Sequence, residues 1–240
     1  TLKALVGEGD MAWVYQGTQT GLDRSVAVKI MKPLNVEGEN MALRFEREAR
    51  LAAALSHPNI IHIFDFGDTA GGILYLVSEF LNGESLGQHI ARGAKPLPQA
   101  LALFAQLLDA VEEAHVHGVV HRDLKPENIV LVPLRGGGEV LKVLDFGIAT
   151  LAEDPSPRLA AEGMLVGTPA FMAPELFQGN EATPGSDLYA CALLLFEMLT
   201  GLPAINGANL EETIAAQRSE ARPSLQRAAP EMGFSDCLER

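Results

Sequence analysis

Residues 121–128 read His-Arg-Asp-Leu-Lys-Pro-Glu-Asn and bring an acid, a cation and an amide together within eight positions. This stretch places the carboxylate of Asp123 two residues before the ammonium of Lys125 and five residues before the amide of Asn128. Transfer of a γ-phosphoryl group from ATP to a hydroxyl requires a carboxylate at the hydroxyl, positive charge at the moving group and oxygen ligands for Mg²⁺. One short loop with these three side chains therefore predicts phosphoryl-transfer chemistry.

The composition limits the class of protein. With 240 residues, 48% of them hydrophobic, the chain can bury a sizeable core in one large domain or two small ones. Its net charge of −13 argues against nucleic acid as a partner, because phosphate neutralisation needs clustered Lys and Arg. The longest apolar stretch, residues 188–199, is interrupted by Glu197 and falls short of the roughly 20 residues of a membrane span. We therefore expect neither a nucleic-acid partner nor a membrane span within this sequence.

The cysteines and the two ends of the sequence bear on location and completeness. Cys191 and Cys237 are too few for a disulfide framework, which predicts reduced structural thiols. No signal peptide opens the sequence, so we expect a cytoplasmic domain, and a membrane anchor elsewhere in a longer parent chain stays open. The sequence begins at Thr1 and stops at Arg240 in what resembles the start of a helix. We expect an excerpt, without the C-terminal end of the domain.

The first 80 residues carry a strand pattern. Short runs of β-branched and aromatic residues alternate with turn residues and predict a small antiparallel sheet. The strands are expected at residues 2–6, 12–16, 25–31, 60–66 and 73–79. One helix is expected at 39–55, before Pro58.

Helical periodicity dominates after residue 80. Apolar residues recur at three- and four-residue spacing, and the helix predicted at 185–200 is apolar nearly all round and therefore central. We expect an α+β fold with a β-rich N-lobe over residues 1–80 and a mostly helical C-lobe over residues 81–240. A cleft between two such lobes is where ligands usually bind.

Residues 7–14 read Gly-Glu-Gly-Asp-Met-Ala-Trp-Val and resemble the glycine-rich loop of protein kinases, G-x-G-x-x-G-x-V. Glycines such as Gly7 and Gly9 let backbone N–H groups approach phosphates without a Cβ in the way. Ala12 stands where the pattern has its third glycine. Taken alone, the stretch also fits an ordinary hairpin turn.

Lys29 and Glu48 form a second pattern. Residues 26–29, Val-Ala-Val-Lys, resemble the V-A-I-K strand of kinases. On its helix Glu48 shares a face with Phe45 and Ala52, so it is expected to point inward, where a carboxylate needs a partner. The resemblance implies that Glu48 pairs with Lys29, which then holds the α- and β-phosphates of ATP.

Further motifs follow in the kinase order. Residues 121–128 match H-R-D-L-x-x-x-N, residues 145–147 match D-F-G, and residues 173–175 match A-P-E. Lys-Pro-Glu at 125–127 and Gly-Thr-Pro at 167–169 follow the Ser/Thr type. The sequence is identified as a member of the eukaryotic-type (Hanks-type) protein kinase catalytic domains, closest in pattern to bacterial Ser/Thr protein kinases.

The resemblance implies a fold, an activity and ligands. The fold is protein kinase-like and bilobal, with one main helix in the N-lobe. The implied activity is that of a protein serine/threonine kinase, which transfers the γ-phosphoryl group of MgATP to Ser or Thr hydroxyls of protein substrates. Its implied context is bacterial signalling. Mn²⁺ is an alternative to Mg²⁺, and dimerisation stays open.

Roles follow for the catalytic and metal-binding residues. The implied catalytic residues are Asp123, Lys125, Asn128 and Thr168. Thr168 would line the substrate-facing loop and bond Asp123 and Lys125. Asn128 and Asp145 would hold Mg²⁺, a cation that prefers oxygen ligands.

ATP binding is implied for residues of both lobes. They are Val6, Gly7, Gly9, Val14, Ala27, Lys29, Glu48, Ser78, Glu79, Leu81, Val130 and Asp145. Val14, Ala27 and Val130 match the positions that sandwich adenine. A stack that links the two lobes is matched by Ala52, Ile63, His121 and Phe146.

The segment 79–81 resembles the hinge, whose backbone groups would bond the adenine edge. Ser78, directly before it, is smaller than the residue that usually stands there, which predicts a pocket behind adenine. Asn82 and Glu84 are alternatives for the contact with ribose.

Regulation and loop anchoring complete the implied roles. Arg122 beside the catalytic acid is typical of kinases that are switched by a phosphate on the activation segment. Related bacterial kinases carry that phosphate on a Thr where this sequence has Glu162. We expect Glu162 to act as a weaker, permanent substitute, and a solvated loop acid is the alternative. The resemblance also implies that Asp187 anchors the backbone of the catalytic loop.

Two other classes share this fold. A pseudokinase would be signalled by loss of Lys29, Asp123, Asn128 or Asp145, and all four are present. Small-molecule phosphotransferases of the aminoglycoside-kinase kind usually show H-G-D-x-x-x-x-N and lack the G-T-P…A-P-E segment. This sequence has His-Arg-Asp and the full segment, which argues against that class. In kinases Glu175 of A-P-E pairs with an arginine near the end of the large lobe. The sequence stops before such a position, so we expect Glu175 to lack that partner.

Overall fold

The N-terminal part of the chain forms the predicted antiparallel sheet. The computed structural model describes residues 1–9, 12–32, 40–146, 168–219 and 222–234. The strands of this sheet are β1 Leu2–Glu8, β2 Ala12–Gln19, β3 Arg24–Met31, β4 Ile63–Asp68 and β5 Leu74–Glu79. They lie in the order β1-β2-β3-β5-β4, and each neighbouring pair is antiparallel.

Helix α1, Asn40–Ala54, packs against β4 and β5 with one face. Phe45, Ala49 and Ala52 are buried on that face, at the four- and three-residue spacing that aligns helical side chains. Glu48, next to them, is only half-buried. The inward face was thus predicted correctly for the apolar residues, whereas Glu48 lies at its margin.

The C-terminal part is mostly helical, with a small second sheet of order β6-β7-β8. Its strands are β6 Glu84–Ser85, β7 Ile129–Pro133 and β8 Glu139–Val143. Its helices are α2 Leu86–Ile90, α3 Leu97–Val116, α4 Pro184–Thr200, α5 Leu210–Arg218 and α6 Leu225–Ala228. Short 3-10 turns are found at Pro126–Asn128, Pro169–Phe171, Leu176–Gln178 and Pro230–Met232.

Helix α4 is the centre of the C-terminal part, as its apolar sequence predicts. Cys191, Leu194 and Met198 are fully buried, and α4 packs against α3. Burial raises the pKa of the Cys191 thiol to about 12, so it stays protonated and inert. None of the helices in the described part of the chain combines the length and apolarity that crossing a bilayer requires.

The segment before β4 differs from the prediction of one strand over 60–66. Residues 59–61 pair with β8 instead: Ile61 N donates to Val143 O at 2.9 Å, and Val143 N donates to Asn59 O at 2.8 Å. β4 begins only at Ile63. A run of apolar residues indicates a strand but does not identify its partner, so the change of sheet leaves no trace in the pattern.

The two parts of the chain meet at Gly83. A Cβ built on this residue would lie 2.3 Å from Leu131 O, so only glycine lets the connection run this close to β7. The predicted turn at Asn82-Gly83 therefore has a steric reason. It places the end of β5 beside the strands that carry the catalytic motifs.

Candidate active site

The backbone of the catalytic loop is held by one buried carboxylate. Asp187, in the first turn of α4, is 2% exposed and accepts from His121 N at 2.8 Å and from Arg122 N at 2.9 Å. His115 lies 2.8 Å from the same carboxylate through Nε2. Arg122 has a φ of 72°, a conformation that costs about 1–2 kcal/mol in a residue other than glycine. The contacts of Asp187 hold the loop in this shape, which is the anchoring that the resemblance implied.

Asp123, Lys125 and Asn128 meet within this loop. The Asp123 carboxylate lies 2.8 Å from Lys125 Nζ and accepts from Asn128 Nδ2 at 3.0 Å. Asn128 Nδ2 also donates to the Asp123 carbonyl at 2.8 Å. The short helical turn Pro126–Asn128 brings the amide back onto the acid. Because Asp123 keeps 18% of its side chain exposed, a hydroxyl in the cleft has access to it.

His121 links the loop to the residues before Asp145. Its side chain is fully buried, and Nε2 lies 2.7 Å from Leu144 O, so the ring donates this proton to the carbonyl. Burial, the largest influence, holds the pKa of His121 below its usual value. The ring packs edge-on against Phe146 at a centroid distance of 4.7 Å. With Ala52 and Ile63 also buried, all four members of the implied stack lie in the core.

Lys29 on β3 binds Asp145 with a distance of 2.8 Å between Nζ and Oδ2. Asp145 has a φ of 56°, a conformation that costs about 1–2 kcal/mol in a residue other than glycine. Partial removal from water would raise the pKa of Asp145, but the charge and hydrogen bond of Lys29 outweigh it and hold that pKa below the usual value. The acid and the lysine thus form a charged pair across the cleft.

The predicted pair of Lys29 with Glu48 is not formed in this structure. Lys29 contacts Asp145, and the carboxylate of Glu48 has no ion pair or hydrogen bond to any other described residue. The physical reason is burial: the prediction placed Glu48 on a buried face, where a charge needs a partner. At the half-buried margin of α1, its carboxylate stays in contact with water and needs none.

A cavity of about 200 Å³ lies between the sheet and the β7–β8 pair. Of the residues predicted to bind ATP, it is lined by Val6, Val14, Ala27, Lys29, Ser78, Glu79, Leu81, Val130 and Asp145. Its other lining residues are Ala52, Ile60, Ile61, Ile63, Leu76, Phe80, Leu144 and Phe146. Ala52, Ile63 and Phe146 were expected only as a stack, Phe80 belongs to the predicted hinge, and Ile60, Ile61, Leu76 and Leu144 carried no signal that separates them from ordinary core.

Gly7, Gly9 and Glu48 are the predicted ATP-binding residues that do not line this cavity. Neither glycine has a positive φ, and a Cβ on Gly7 would meet Val14 at an ordinary 3.7 Å. The described backbone therefore does not itself require glycine at these positions. Close approach of a phosphate, the predicted reason for them, stays a prediction.

The hinge is held by a contact that the sequence did not indicate. The Glu79 carboxylate lies 2.7 Å from Lys142 Nζ on β8 and accepts from His62 N at 2.9 Å. Lys142 also donates to Ile60 O at 3.2 Å. The side chain of Glu79 is thus turned towards β8, and its backbone N–H donates to His62 O at 2.9 Å. The neighbouring Ser78 is 5% exposed, and its hydroxyl donates to Glu79 O at 3.3 Å.

The two alternatives for the ribose contact differ in their surroundings. Glu84 forms an ion pair with Arg92 and lies 3.4 Å from His89 Nε2, so its carboxylate is engaged at α2. Arg92 holds the pKa of Glu84 below its usual value. Asn82 is exposed and has no side-chain hydrogen bond to a described residue. The geometry leaves Asn82 the freer of the two.

Thr168 and Asp123 line one small cavity of about 20 Å³, together with Arg122. The predicted hydrogen bonds from Thr168 to Asp123 and Lys125 are not found among the described residues, where Lys125 instead contacts Oδ2 of Asp123. The exposed guanidinium of Arg122 has no partner in the part of the chain that the structure describes. Glu162, its predicted partner, lies outside the described residues.

Glu175 has a partner other than the arginine that kinases provide. Its carboxylate accepts from Ser186 Oγ at 3.0 Å, at the start of α4. Ser186 also caps that helix, since Thr183 N donates to its hydroxyl at 3.2 Å. The half-buried Glu175 is therefore hydrogen-bonded although the sequence indicated no partner for it.

Comparison with known proteins gives a consistent result. The family described as "Protein kinase domain" matches residues 1–233. The serine/threonine-protein kinase pkn3 of Myxococcus xanthus is 37% identical over 243 residues, which cover 100% of this chain and 44% of pkn3. The probable serine/threonine-protein kinase PknB of Lactococcus lactis is 40% identical over 231 residues, covering 95% of this chain and 35% of PknB. The chain thus spans less than half the length of these relatives.

A solved structure supports the fold directly. The crystal structure of the Mycobacterium tuberculosis PknI kinase domain superposes with a TM-score of 0.72 and 28% sequence identity. The likeness covers 96% of this chain and 82% of that domain. The predicted α+β fold, with a β-rich N-lobe and a mostly helical C-lobe, is confirmed.

Proposed function

Because the chain belongs to the protein kinase domain family, we propose that it is the catalytic part of a serine/threonine-protein kinase that phosphorylates Ser or Thr of protein substrates. The observation that carries the proposal is the pair of acid–lysine contacts in one cleft. Asp123 lies 2.8 Å from Lys125, and Asp145 lies 2.8 Å from Lys29. The first pair suits the incoming hydroxyl and the second suits the phosphates of ATP.

Asn128 and Asp145 are the residues that we assign to a divalent metal, Mg²⁺ by preference and Mn²⁺ as the alternative. Asn128 turns its amide nitrogen to Asp123 and Asp145 gives one oxygen to Lys29, so each keeps one oxygen atom for a cation. Two protein oxygens fit Mg²⁺, which usually keeps several waters and takes phosphate oxygens as further ligands. When bound, the metal neutralises charge on the phosphates of ATP.

Asp123 is proposed to orient the substrate hydroxyl and accept its proton. Lys125, at the same carboxylate, places positive charge beside the group in transfer. Lys29 is proposed to move from Asp145 to the α- and β-phosphates when ATP enters the cavity. Adenine would lie between Val14 and Val130, with its edge at the hinge backbone.

The direct test is transfer of label from [γ-³²P]ATP to a generic basic protein, with Asp123→Asn as the control variant. The wild type should label Ser and Thr. Asp123→Asn should lower kcat at least about 1,000-fold, which corresponds to a rise of about 4 kcal/mol in the activation free energy. ATP affinity should change less than about twofold, since Asp123 acts on the hydroxyl and not on the nucleotide. Turnover by Asp123→Asn at the wild-type rate would refute the assignment.

Several finer predictions remain part of this proposal. We propose residues 1–80 and 81–240 as the two lobes of one domain, a cytoplasmic location, and a role in bacterial signalling. Glu162 is proposed as a substitute for an activating phosphate at Arg122. Phosphatase treatment should leave the wild type active, and Glu162→Ala should then lower that activity. Full activity of Glu162→Ala would remove this part of the proposal and leave the kinase assignment intact.

A further inference from the structure

Gln217 is buried in an otherwise exposed or half-exposed helix. It lies near the end of α5 with 1% of its surface exposed, and no other residue of that fully described helix is buried. Apolar burial usually holds a surface helix in place. Here the buried group is an amide, and a buried amide requires hydrogen-bond partners.

The amide of Gln217 binds three groups from two other elements. Nε2 donates to Pro169 O at 3.1 Å and to Ala170 O at 2.6 Å, and Oε1 accepts from the Tyr189 hydroxyl. Burial, the largest influence, raises the pKa of Tyr189, so its hydroxyl keeps the proton that it donates. This donor fixes the amide with its N–H groups towards the two carbonyls.

The two carbonyls belong to the turn Pro169–Phe171, which directly follows Thr168. Phe171 N donates to Thr168 O at 3.0 Å, so the turn and Thr168 form one unit. Thr168 shares a small cavity with Asp123. The turn is therefore part of the wall beside which a polypeptide must lie to bring its hydroxyl to Asp123.

Tyr189 connects this arrangement to the catalytic loop through α4. It follows Asp187 by two residues, and Asp187 holds the backbone N–H groups of His121 and Arg122 at 2.8 Å and 2.9 Å. One helix thus positions the catalytic loop with one side chain and the turn after Thr168 with another. Arg218 adds a second contact from α5, donating to Phe177 O at 2.8 Å.

We propose that Gln217, oriented by Tyr189, is a positioning residue for the polypeptide substrate. It fixes the backbone of residues 169–171, and through it the surface that receives the residues next to the phosphorylated Ser or Thr. Within the described residues, the lining of the nucleotide cavity includes no part of this turn or of α5. The effect is therefore on the protein substrate and not on ATP, and the inference rests on the proposed kinase function.

The test uses Gln217→Met and Tyr189→Phe in the full-length protein, with a Ser-containing peptide as substrate. Gln217→Met keeps the volume and removes both donors, and Tyr189→Phe removes only the orienting hydroxyl. Gln106→Met is the matched control, since the Gln106 amide also binds backbone, accepting from Leu141 N at 2.9 Å on another face. The readouts are KM for peptide, KM for ATP, and ATP hydrolysis without peptide.

We expect Gln217→Met to raise the KM for peptide about tenfold, which corresponds to about 1.4 kcal/mol, and Tyr189→Phe to raise it about threefold. The KM for ATP and the peptide-free hydrolysis should change less than about twofold, and Gln106→Met should raise neither KM selectively. An unchanged peptide KM in both variants, or parallel changes in both KM values, would overturn the inference. If Gln217→Met fails to fold, the KM values of Tyr189→Phe for peptide and for ATP decide between these outcomes. A wild type without phosphoryl transfer would instead refute the proposed function.

Discussion

The catalytic loop and the nucleotide cleft are neighbours that hold their charged groups in opposite ways. In the loop, the 2% exposed Asp187 accepts two backbone hydrogen bonds and contacts His115. In the cleft, Lys29 and Asp145 form a single ion pair with 21% and 32% of their side chains exposed. A buried acid with several partners has one arrangement, whereas a partly exposed pair gains little net free energy and is easily exchanged. The loop is thus fixed in advance, and the cleft keeps its cation available for a ligand.

Breaking the fixed region should have the largest effect. In Asp187→Asn, one carboxylate oxygen is replaced by an NH₂ group, which donates and does not accept. The hydrogen bonds from His121 N and Arg122 N to the charged carboxylate are therefore lost or weakened. We expect a loss of about 3 kcal/mol in the free energy of unfolding and of at least about 1,000-fold in kcat. Denaturant unfolding and label transfer measure the two. Asp109→Asn, an exposed acid on α3, is the control that should change neither.

The available cation of the cleft can be examined by comparing Lys29→Met with Glu48→Gln. If Asp145 and the phosphates are the partners of Lys29, Lys29→Met should lower kcat/KM about 100-fold, or about 2.7 kcal/mol, and Glu48→Gln less than about tenfold. Glu46→Gln, an exposed acid on the same helix, should have no effect. Equal losses from Lys29→Met and Glu48→Gln would show that these two residues pair in the working complex.

The apolar side of the cleft predicts a selective effect on inhibitors. The small, buried Ser78 lines the cavity together with the apolar residues Ile63, Leu76 and Phe146. An ATP-site inhibitor with a bulky aromatic group should therefore bind well, and Ser78→Met should weaken it at least about tenfold, or about 1.4 kcal/mol. The KM for ATP should stay within about twofold. Competitive inhibition constants for both proteins check this, and equal constants would mean that the space beside Ser78 is closed to the aromatic group.

The smallest expected effect is the dependence of the free energy of unfolding on pH, through His121 in the catalytic loop. The pKa of His121 is lowered in the folded state from its ordinary value of 6.5, so the unfolded chain binds a proton that the folded protein lacks. The stability that the neutral ring contributes is present above pH 6.5 and is lost as pH falls towards the folded pKa. The free energy of unfolding should fall by at most about 1.4 kcal/mol per pH unit in this window. His121→Gln, which keeps a donor for Leu144 O, should have a smaller slope; the same slope would contradict the assignment.

The sequence predicts those parts of the site that neighbours along the chain determine. Asp123, Lys125 and Asn128 are brought together by one short turn, so their meeting follows from spacing alone. The strands and α1 follow from side-chain periodicity, which reports the buried face of each element. These features need no knowledge of how distant elements are arranged.

Contacts between distant elements were predicted less well. The Lys29–Glu48 pair depends on how deeply α1 buries one carboxylate, and a helical pattern gives the face but not the depth. The contact of Glu79 with Lys142 joins residues that lie 63 positions apart, and neither has a local signal. Gln217 was missed for the same reason, because a glutamine near a helix end resembles any solvated residue. Burial of polar groups is decided by tertiary packing, which composition does not encode.

The pairing of residues 59–61 with β8 has a mechanical consequence. The N-terminal sheet is attached to the C-terminal part by the chain at Gly83 and, separately, by the backbone hydrogen bonds of Asn59 and Ile61 with Val143. The ion pair of Glu79 with Lys142 lies beside these hydrogen bonds and adds a further attachment at β8. Sliding or twisting of the two parts would have to break the backbone hydrogen bonds of Val143, whereas parting Lys29 from Asp145 breaks one partly exposed ion pair. We therefore expect the cleft to open by a movement that separates Lys29 from Asp145 and keeps residues 59–61 on β8.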